Sequence, residues 1–250
     1  MAQNRVVRVA VISDVHANLY ALEAVLAEID REPPEQIWCL GDTVGYGPRP
    51  NECCALVEER ATLALVGNHD LLALGSAEVG AEDFNLEAVE ASAWTKEQLS
   101  ASSRRFLESL APSAAVDGAE LFHGSPRDPV WEYVLDEIAA LYSFAMTSAP
   151  VVLVGHSHVP IALRLQRDGL EGGHASAGLE VRFGDDRWLL NPGSVGQPRD
   201  GDPNAAFLEL ELEDRKARFR RVVYPVSRTQ EEIRERGLPD SLAERLAHGV

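Results

Sequence analysis

The chain has 250 residues, with 40 Asp and Glu against 23 Lys and Arg, which gives a formal net charge of −17. This length supports one substantial core, so we expect a single domain over residues 1–250 that ends in a helical tail over about 228–250. The acidic surface disfavours binding to nucleic-acid backbones and to anionic membranes, and no apolar run reaches the ~20 residues that span a bilayer.

The first third of the chain alternates apolar runs with amphipathic stretches. Residues 6–12 predict a buried strand, and Asn18 is the expected N-cap of a helix whose apolar positions recur at helical spacing up to residue 29. Residues 36–40 and 62–66 predict two more strands, with a helix that begins at Pro50 between them. Strand–helix–strand alternation of this kind predicts parallel pairing in an α/β fold.

The rest of the chain changes from helices to a run of strands. Residues 71–111 are predicted to be mostly helical around a polar loop at about 75–80, and short strands follow at 120–122 and 151–154 with an amphipathic stretch at 136–146. Five strands are then expected at 161–166, 179–183, 187–190, 206–212 and 217–223, with turns at Gly172-Gly173, 184–186 and 213–214. A polar helical tail over 229–246 breaks at Pro239. The pattern predicts two packed sheets with helices outside them.

Five of the seven histidines lie in short blocks with Asp, Asn or Gly, and most blocks directly follow a predicted strand. In chain order the blocks are Asp14-Val15-His16, Gly41-Asp42, Gly67-Asn68-His69-Asp70, His123-Gly124 and Gly155-His156-Ser157-His158. Because side chains at strand ends converge on one edge of a sheet, the blocks predict a metal site built from five loops. Nitrogen and oxygen ligands in this mix suit a pair of divalent transition metals.

Two sets of ligands are expected, with Asp42 in both. The first set is Asp14, His16, Asp42 and His158, and the second is Asp42, Asn68, His123 and His156. We expect Asp14 and His16 to share a face because alternate side chains of extended backbone do so. Two ions about 3.5–4 Å apart polarise a phosphate and generate a bridging hydroxide at neutral pH. Manganese, iron, cobalt, nickel or zinc would fit, with manganese favoured.

His69 is not needed as a ligand, although it lies beside Asn68. It is therefore the candidate for protonating the leaving alkoxide or for donating a hydrogen bond to a phosphoryl oxygen. Asp70 is expected to hold the other imidazole nitrogen and to fix the tautomer. Two ions held by two carboxylates would leave a local charge of about +2, which would admit a phosphate into an acidic protein.

Taken together and in this order, D-x-H, GD, GNHD, H-G and GHSH resemble the calcineurin-like metallophosphoesterase superfamily. The resemblance runs from Asp14 to His158 and continues through Asn191-Pro192-Gly193-Ser194 to about residue 198. It implies a four-layer α/β sandwich, in which two mixed sheets pack face to face between helices. It also implies two metals, in-line attack by a metal-bridging hydroxide, and His69 as the catalytic histidine.

The chain departs from the protein phosphatases of this family after Asp42. Those enzymes continue GD with an acidic-Arg-Gly sequence, whereas here residues 43–48 read TVGYGP and Arg49 follows. The chain looks more like the small prokaryotic, phosphodiesterase-like branch. Candidate substrate contacts are Tyr46, Arg49, Arg127 and Arg199. Trp131 and Tyr133 are further candidates to border the pocket and to stack on a nucleobase.

The expected activity is hydrolysis of a phosphate ester or anhydride on a small phosphorylated or nucleotide-type substrate, with a phosphodiesterase favoured. A dinucleoside polyphosphate hydrolase and a phosphomonoesterase remain alternatives. A catalytically silent binding module is the rival of another class, but such relatives usually lack a ligand. A nuclease would need a basic groove, which the charge disfavours. The C-terminal strands leave homo-oligomer formation open.

The three cysteines, Cys39, Cys53 and Cys54, are odd in number and form no CxxC pair. This pattern argues against a disulfide framework and against a thiolate zinc site. We therefore expect a reducing cytoplasm as the location. No signal peptide is predicted, because cleavage near the start would destroy the first strand.

Overall fold

A computed structural model describes residues 8–76, 86–116 and 118–250. Residues 6 and 7 of the first predicted strand and residues 77–80 of the predicted polar loop lie outside this range. The strands are β1 (Arg8–Ile12), β2 (Gln36–Cys39), β3 (Leu63–Ala64), β4 (Ser113–Val116), β5 (Ala119–Phe122), β6 (Val151–Leu153), β7 (Ile161–Gln166), β8 (Gly169–His174), β9 (Glu180–Arg182), β10 (Arg187–Asn191), β11 (Ala205–Glu211) and β12 (Lys216–Val222). The helices are α1 (Leu19–Ile29), α2 (Pro50–Arg60), α3 (Asn68–Leu74), α4 (Leu86–Gln98), α5 (Ala101–Glu108), α6 (Glu137–Met146), α7 (Val226–Glu235) and α8 (Asp240–Leu246).

The first sheet has the strand order β3-β2-β1-β11-β12-β9. β1, β2 and β3 run parallel, and β11, β12 and β9 continue the sheet in antiparallel pairs. The register sets Ile12 opposite Cys39 and Cys39 opposite Ala64. The three parallel strands therefore end at one edge, where the loops that carry Asp14, Asp42 and Asn68 begin.

The second sheet repeats this plan with the order β4-β5-β6-β10-β7-β8. β5, β6 and β10 are parallel, and Leu153 of β6 lies opposite both Leu121 and Leu190. The β5 and β6 ends therefore coincide, which brings the loops that carry His123 and His156 to one edge of this sheet.

The two sheets pack face to face because their strands alternate between two apolar faces. Val9 and Val11 of β1 belong to the core between the sheets, together with Leu121 and Leu153. Residues on the other face of β1 pack under α1 and α2, and α6 covers the outer face of the second sheet. The predicted four-layer α/β sandwich with mixed sheets is confirmed. The single-domain assignment stays a prediction, which the shared core between the sheets supports.

Three local features differ from the sequence-based expectations. Gly172 and Gly173 lie within β8, opposite Leu163 and Ala162, instead of forming a turn. β4 was not predicted, because its sequence SAAV carries a weak apolar signal. Helix α3 already begins at Asn68, where Asp70 accepts a hydrogen bond from the backbone of Gly67 at 3.0 Å. Tertiary pairing overrides local propensity at such short elements.

The C-terminal tail forms α7 and α8 and packs back onto the molecule. Ile233 of α7 and Leu242 and Leu246 of α8 are buried against Tyr46 and against Ala88 of α4. A tail that is mostly polar in sequence therefore closes one side of the loop that follows Asp42. Within the described residues, none of the helices has the length and apolar character needed to cross a membrane.

Candidate metal centre

The predicted ligands come from the carboxyl ends of parallel strands in both sheets. Asp14 follows β1, Asp42 follows β2 and Asn68 follows β3, whereas His123 and His156 follow β5 and β6. Loops at this end of parallel strands form the usual binding crevice of open α/β sheets. All seven predicted ligands are buried, with 4% of the surface or less exposed for each.

The first cluster contains Asp14, His16, Asp42 and His158, whose ligand atoms all lie within 4.8 Å of one another. Nε2 of His16 lies 3.0 Å from Nε2 of His158 and 3.6 Å from Oδ2 of Asp42. Nε2 of His158 lies 3.4 Å from Oδ1 of Asp14. Donors about 2.0–2.2 Å from a shared cation are separated by about 3.0–3.4 Å, so the cluster fits one ion.

The second cluster contains Asp42, His123 and His156, again within 4.8 Å. Nε2 of His123 lies 3.5 Å from Oδ2 of Asp42 and 3.0 Å from Oδ1 of Asn68. Oδ2 of Asp42 thus faces His16 of one cluster and His123 of the other. The structure brings together all seven residues that the sequence singled out as ligands, in the two predicted sets.

Backbone carbonyls orient the four imidazole rings. The Nδ1 groups of His16, His123 and His158 lie 3.2, 2.9 and 2.6 Å from the carbonyl oxygens of Val44, Leu40 and Gln197, respectively. The ring of His156 is turned the other way, with Nε2 3.1 Å from the carbonyl of Trp131. Donation to a carbonyl fixes the tautomer and leaves the other nitrogen free to bind a metal. Three rings therefore present Nε2 to the clusters and one presents Nδ1.

A second, independent observation also indicates that the clusters suit divalent cations. Both oxygens of Asp14 and Oδ2 of Asp42 are buried without a hydrogen-bond partner among the residues that the structure describes. A buried carboxylate oxygen without a partner is strongly disfavoured unless a cation compensates it. Oδ1 of Asp14 and Oδ2 of Asp42 face the histidine nitrogens, so bound cations would satisfy them.

Burial and neighbouring charges shift the pKa values of the clustered Asp and His residues. Burial raises the pKa of Asp14 to about 7. Burial alone would lower the pKa of His123, but the neighbouring carboxylate of Asp42 raises it to about 9. Burial also holds the pKa values of His16 and His158 well below their usual range. A proton on His123 thus offsets the charge of Asp42 until a metal replaces it.

The ligand loops use backbone conformations that the sequence argument did not anticipate. Asp14 and His16 have φ of 54° and 47°, so the expectation that extended backbone aligns them was wrong. Asp42, His156 and His158 also have positive φ, at 53°, 63° and 61°. Non-glycine residues in this region are uncommon and concentrate at functional sites, where packing overrides the strain. Tight left-handed turns, rather than strand alternation, aim these side chains inward.

Two glycines leave room for the ligands. A Cβ atom on Gly67 would overlap Oδ1 and the backbone nitrogen of Asp42. A Cβ atom on Gly41, which has φ of 107°, would lie 2.8 Å from Nδ1 of His123. These glycines permit close approach of the loops.

His69 is buried beside the first cluster, and its ring centroid lies 5.0 Å from that of His16 and 4.4 Å from that of Tyr46. Burial lowers the pKa of His69 to about 4. The negative charge of Asp42 opposes this shift, and the positive charge of Arg199 adds to it. The ring is therefore neutral at pH 7. Of the two predicted roles, this favours hydrogen-bond donation to a phosphoryl oxygen.

Asp70 occupies a different place from the one expected. Its two carboxylate oxygens accept hydrogen bonds from the backbone nitrogens of Val44 and Gly67, both at 3.0 Å. We therefore assign Asp70 to holding the Asp42 and Asn68 loops together, rather than to orienting the His69 ring. Adjacency in the sequence predicted a contact between Asp70 and the His69 ring, but adjacent residues on a helix point in different directions.

Of the four predicted substrate contacts, two lie at the site. The Tyr46 ring packs against His16, with centroids 4.8 Å apart, and Arg199 lies over Tyr46 at 5.9 Å. Nη2 of Arg199 donates to Gln197 Oε1 at 3.0 Å. The Tyr133 ring stacks on the His156 ring, with centroids 3.7 Å apart, and Nε2 of His156 lies 3.1 Å from the carbonyl oxygen of Trp131. The expectation that the 131–133 segment borders the site agrees with this arrangement.

The other two arginines point elsewhere. The guanidinium of Arg49 makes two hydrogen bonds to Glu232 of α7, at 2.7 and 2.6 Å. Arg127 pairs with Glu132 and lies 4.7 Å over the Tyr142 ring. Both side chains have carboxylate partners, which accounts for their orientation. The predicted substrate role of Arg49 and Arg127 is therefore corrected to a structural one.

The segment from Asn191 to Ser194 supports the clusters through hydrogen bonds to their loops. Asn191 donates to the carbonyl of Gly155 at 2.7 Å, and Ser194 donates to the carbonyl of Asp14 at 2.8 Å. The NPGS segment thus ties the Asp14 loop to the His156 loop. Its position in the block order was visible in the sequence, but its hydrogen bonds depend on the fold. Arg245 of α8, which lies 5.3 Å over the Tyr46 ring, carried no signal in the sequence.

Comparison with known proteins agrees with this geometry. Residues 7–214 match the model of the calcineurin-like phosphoesterase superfamily domain. An uncharacterized protein of Methanocaldococcus jannaschii is 36% identical over 248 residues, which cover 96% of this chain and 98% of that protein. The crystal structure of a metallophosphoesterase from Sphaerobacter thermophilus has a TM-score of 0.88 and 43% identity, over 98% of this chain and 100% of that one.

A hypothetical protein from Pyrococcus horikoshii shares the fold at a TM-score of 0.76 and 21% identity, over 97% of this chain and 98% of that chain. The family match covers the residues of both clusters, from Asp14 to His158. The chain therefore belongs to the calcineurin-like phosphoesterase superfamily and is a metallophosphoesterase, a hydrolase that acts on phosphoric ester bonds.

Proposed function

We propose that this protein is a phosphodiesterase that uses two divalent cations, with manganese favoured, on a small or nucleotide-type substrate. The observation that carries the proposal is the pair of clusters that share Oδ2 of Asp42. The first cluster contains four candidate ligands and the second contains three. Asn68, which contacts His123, adds a fourth candidate ligand to the second cluster. Bound there, two cations would polarise a phosphoryl oxygen and make an activated water available near pH 7.

The chain's own residues supply the remaining chemistry. Cations held by the two clusters would bind the scissile phosphate at the edge where both sheets end. The neutral His69 ring donates a hydrogen bond to a phosphoryl oxygen, which would stabilise the negative charge that develops there during hydrolysis. Tyr46 covers one side of the first cluster, and Tyr133 covers His156 of the second. The buried Tyr46 ring keeps water away from the first cluster, and the exposed Tyr133 ring offers a flat surface to an organic substituent.

Phosphomonoester hydrolysis and dinucleoside polyphosphate hydrolysis use the same donor set and remain alternatives within the class. A catalytically silent binding module is disfavoured because all seven candidate ligands are present and converge. The three cysteines are free and buried, as expected for a protein in the reducing cytoplasm. The location and any homo-oligomer stay predictions.

The test is hydrolysis of bis(p-nitrophenyl) phosphate and p-nitrophenyl phosphate by protein loaded with manganese, zinc or nickel. We expect chelator-sensitive turnover that is faster on the diester. Asp42→Asn should reduce bound metal and abolish turnover, because the shared oxygen loses its charge. A fully metal-loaded protein without turnover on either ester would refute the proposal, whereas a preference for the monoester would correct the substrate class.

A further inference from the structure

Two arginines from distant parts of the chain meet at the Tyr46 ring. Arg199 lies 5.9 Å and Arg245 of α8 lies 5.3 Å from the ring centroid. The same ring packs against His16 and His69, at 4.8 and 4.4 Å between centroids. The two guanidinium groups are therefore one aromatic ring away from the first metal cluster.

Neither arginine forms an ion pair with a carboxylate of the described residues. Arg199 donates to Gln197 and Tyr46 and also interacts with the hydroxyl of Tyr133, whereas its buried Nε has no hydrogen-bond partner in the described chain. Nε of Arg245 donates to the carbonyl of Val250 at 2.9 Å. Ten of the twenty arginines in the described residues have a carboxylate partner, as Arg49 and Arg127 illustrate.

The positive charges of Arg199 and Arg245 also repel each other. Burial and the nearby charge of Arg199 lower the pKa of Arg245, while Tyr46 and Glu87 oppose this effect. Two partly buried guanidinium groups close together without a carboxylate between them leave positive charge that an anion can satisfy. Cation–π contact with Tyr46 compensates only part of this charge.

We propose that Arg199 and Arg245, which both lie over Tyr46, form a subsite for a second phosphate group of the substrate, next to the metal clusters. The inference rests on the proposed function, because the clusters take the phosphate that is hydrolysed. It narrows the substrate class to phosphate esters or anhydrides that carry an additional phosphate, such as a nucleotide with a phosphate chain. Guanidinium groups suit this role because they bind phosphate in a bidentate manner.

Binding of adenosine monophosphate and diphosphate tests the subsite, because the two ligands differ by one phosphate. Calorimetry on manganese-loaded protein, at a fixed free manganese concentration, measures both affinities. We expect the wild type to prefer the diphosphate by at least tenfold, and Arg245→Met to reduce this preference about tenfold, the equivalent of ~1.4 kcal/mol. Affinity for the monophosphate should change less than about twofold. Arg199→Met should act in the same direction, and Arg245→Lys should recover part of the preference.

Arg228→Met is the matched control. Arg228 also lies over a tyrosine, Tyr20, at 5.8 Å, but it is exposed on α7 away from the clusters, so the preference should not change. Equal affinities in the wild type, or an unchanged preference in both Arg245→Met and Arg199→Met, would overturn the proposal. The readout is binding, so absence of hydrolysis would refute the proposed function without deciding this test.

Discussion

Asp42 illustrates how a single side chain meets several demands at once. Oδ1 accepts a hydrogen bond from the backbone of His69 at 2.9 Å, which leaves Oδ2 to face both clusters. A positive φ and the absence of a side chain at Gly67 are both required for this placement. The order of the motifs predicted that Asp42 belongs to both clusters, whereas the fold decides which of its oxygens faces them.

His69 provides the sharpest test at the scale of one residue. His69→Gln removes the imidazole and leaves all seven candidate ligands in place, so bound metal should remain near the wild-type level. Turnover should fall ~10²–10³-fold, the usual effect of removing one hydrogen-bond donor to an oxygen that gains negative charge. Kinetics together with elemental analysis measure both quantities.

His174→Gln is the control for this variant. His174 is about half exposed, at 47%, and pairs with Asp200, so its loss should affect neither metal content nor turnover. Loss of metal in His69→Gln would show that His69 is a ligand and would contradict its assignment as a hydrogen-bond donor to the substrate.

At the scale of elements, the loops between strands and helices control the site. Gly67→Ala should displace the Asp42 carboxylate, because the new Cβ would overlap it. We expect a loss of about 1–3 kcal/mol in the free energy of unfolding, the usual range for overpacking, together with weaker metal binding. Denaturant unfolding and metal titration measure the two effects.

Gly184→Ala separates crowding from backbone strain. Gly184 has φ of 56°, and its added Cβ would meet no atom within 4 Å. This variant should lose stability through backbone strain but bind metal normally. Normal metal binding by Gly67→Ala would contradict the crowding argument.

The tie between α2 and α7 makes a second prediction about elements. Glu232 is 13% exposed, accepts two hydrogen bonds from Arg49 and one from Tyr20, and anchors the C-terminal helices. Glu232→Gln should lower the free energy of unfolding by about 1–3 kcal/mol, because hydrogen bonds to a charged group are lost. Thermal and denaturant unfolding measure this change.

The matched control is an exposed pair. Glu180, 41% exposed, pairs with Arg182 on β9, and Glu180→Gln should change stability by less than about 1 kcal/mol. Equal effects of the two substitutions would show that the tie to α7 is no stronger than a surface ion pair.

At the scale of the whole molecule, a protein of net charge −17 must attract a phosphate to a site lined with carboxylates. Metal binding would reverse the local charge. Before binding, the pKa of Asp14 is about 7 and that of His123 is about 9, so both carry protons over part of the neutral range. Ligation requires Asp14 as the carboxylate and His123 as the neutral imidazole.

Metal binding at pH 7 should therefore release protons, and metal affinity should rise as the pH increases from about 7 to 9. The direction follows because both pKa values are raised, so a rising pH removes the protons that compete with the cation. Calorimetric titration with manganese in two buffers of different ionisation enthalpy measures the number released. A heat of binding independent of the buffer would contradict this prediction.

Local patterns were enough to predict much of this molecule. Apolar periodicity located β1, α1, β2 and α2. A strand with one buried face buries every second residue, and an amphipathic helix buries every third or fourth residue. The order of the histidine blocks predicted the seven candidate ligands, since each block follows a strand that ends at the same edge. The short strand β4 and the glycines of β8 escaped prediction, because pairing with neighbouring strands defines them.

Long-range contacts decided the rest. The direction of an arginine side chain depends on which carboxylate or ring the fold brings near it: Glu232 draws Arg49 away from the site, while α8 carries Arg245 to Tyr46. The left-handed turns at Asp14 and Asp42 likewise persist because surrounding packing outweighs their intrinsic strain. Sequence order thus identified the chemical groups, whereas packing between residues far apart in the chain determined their orientation.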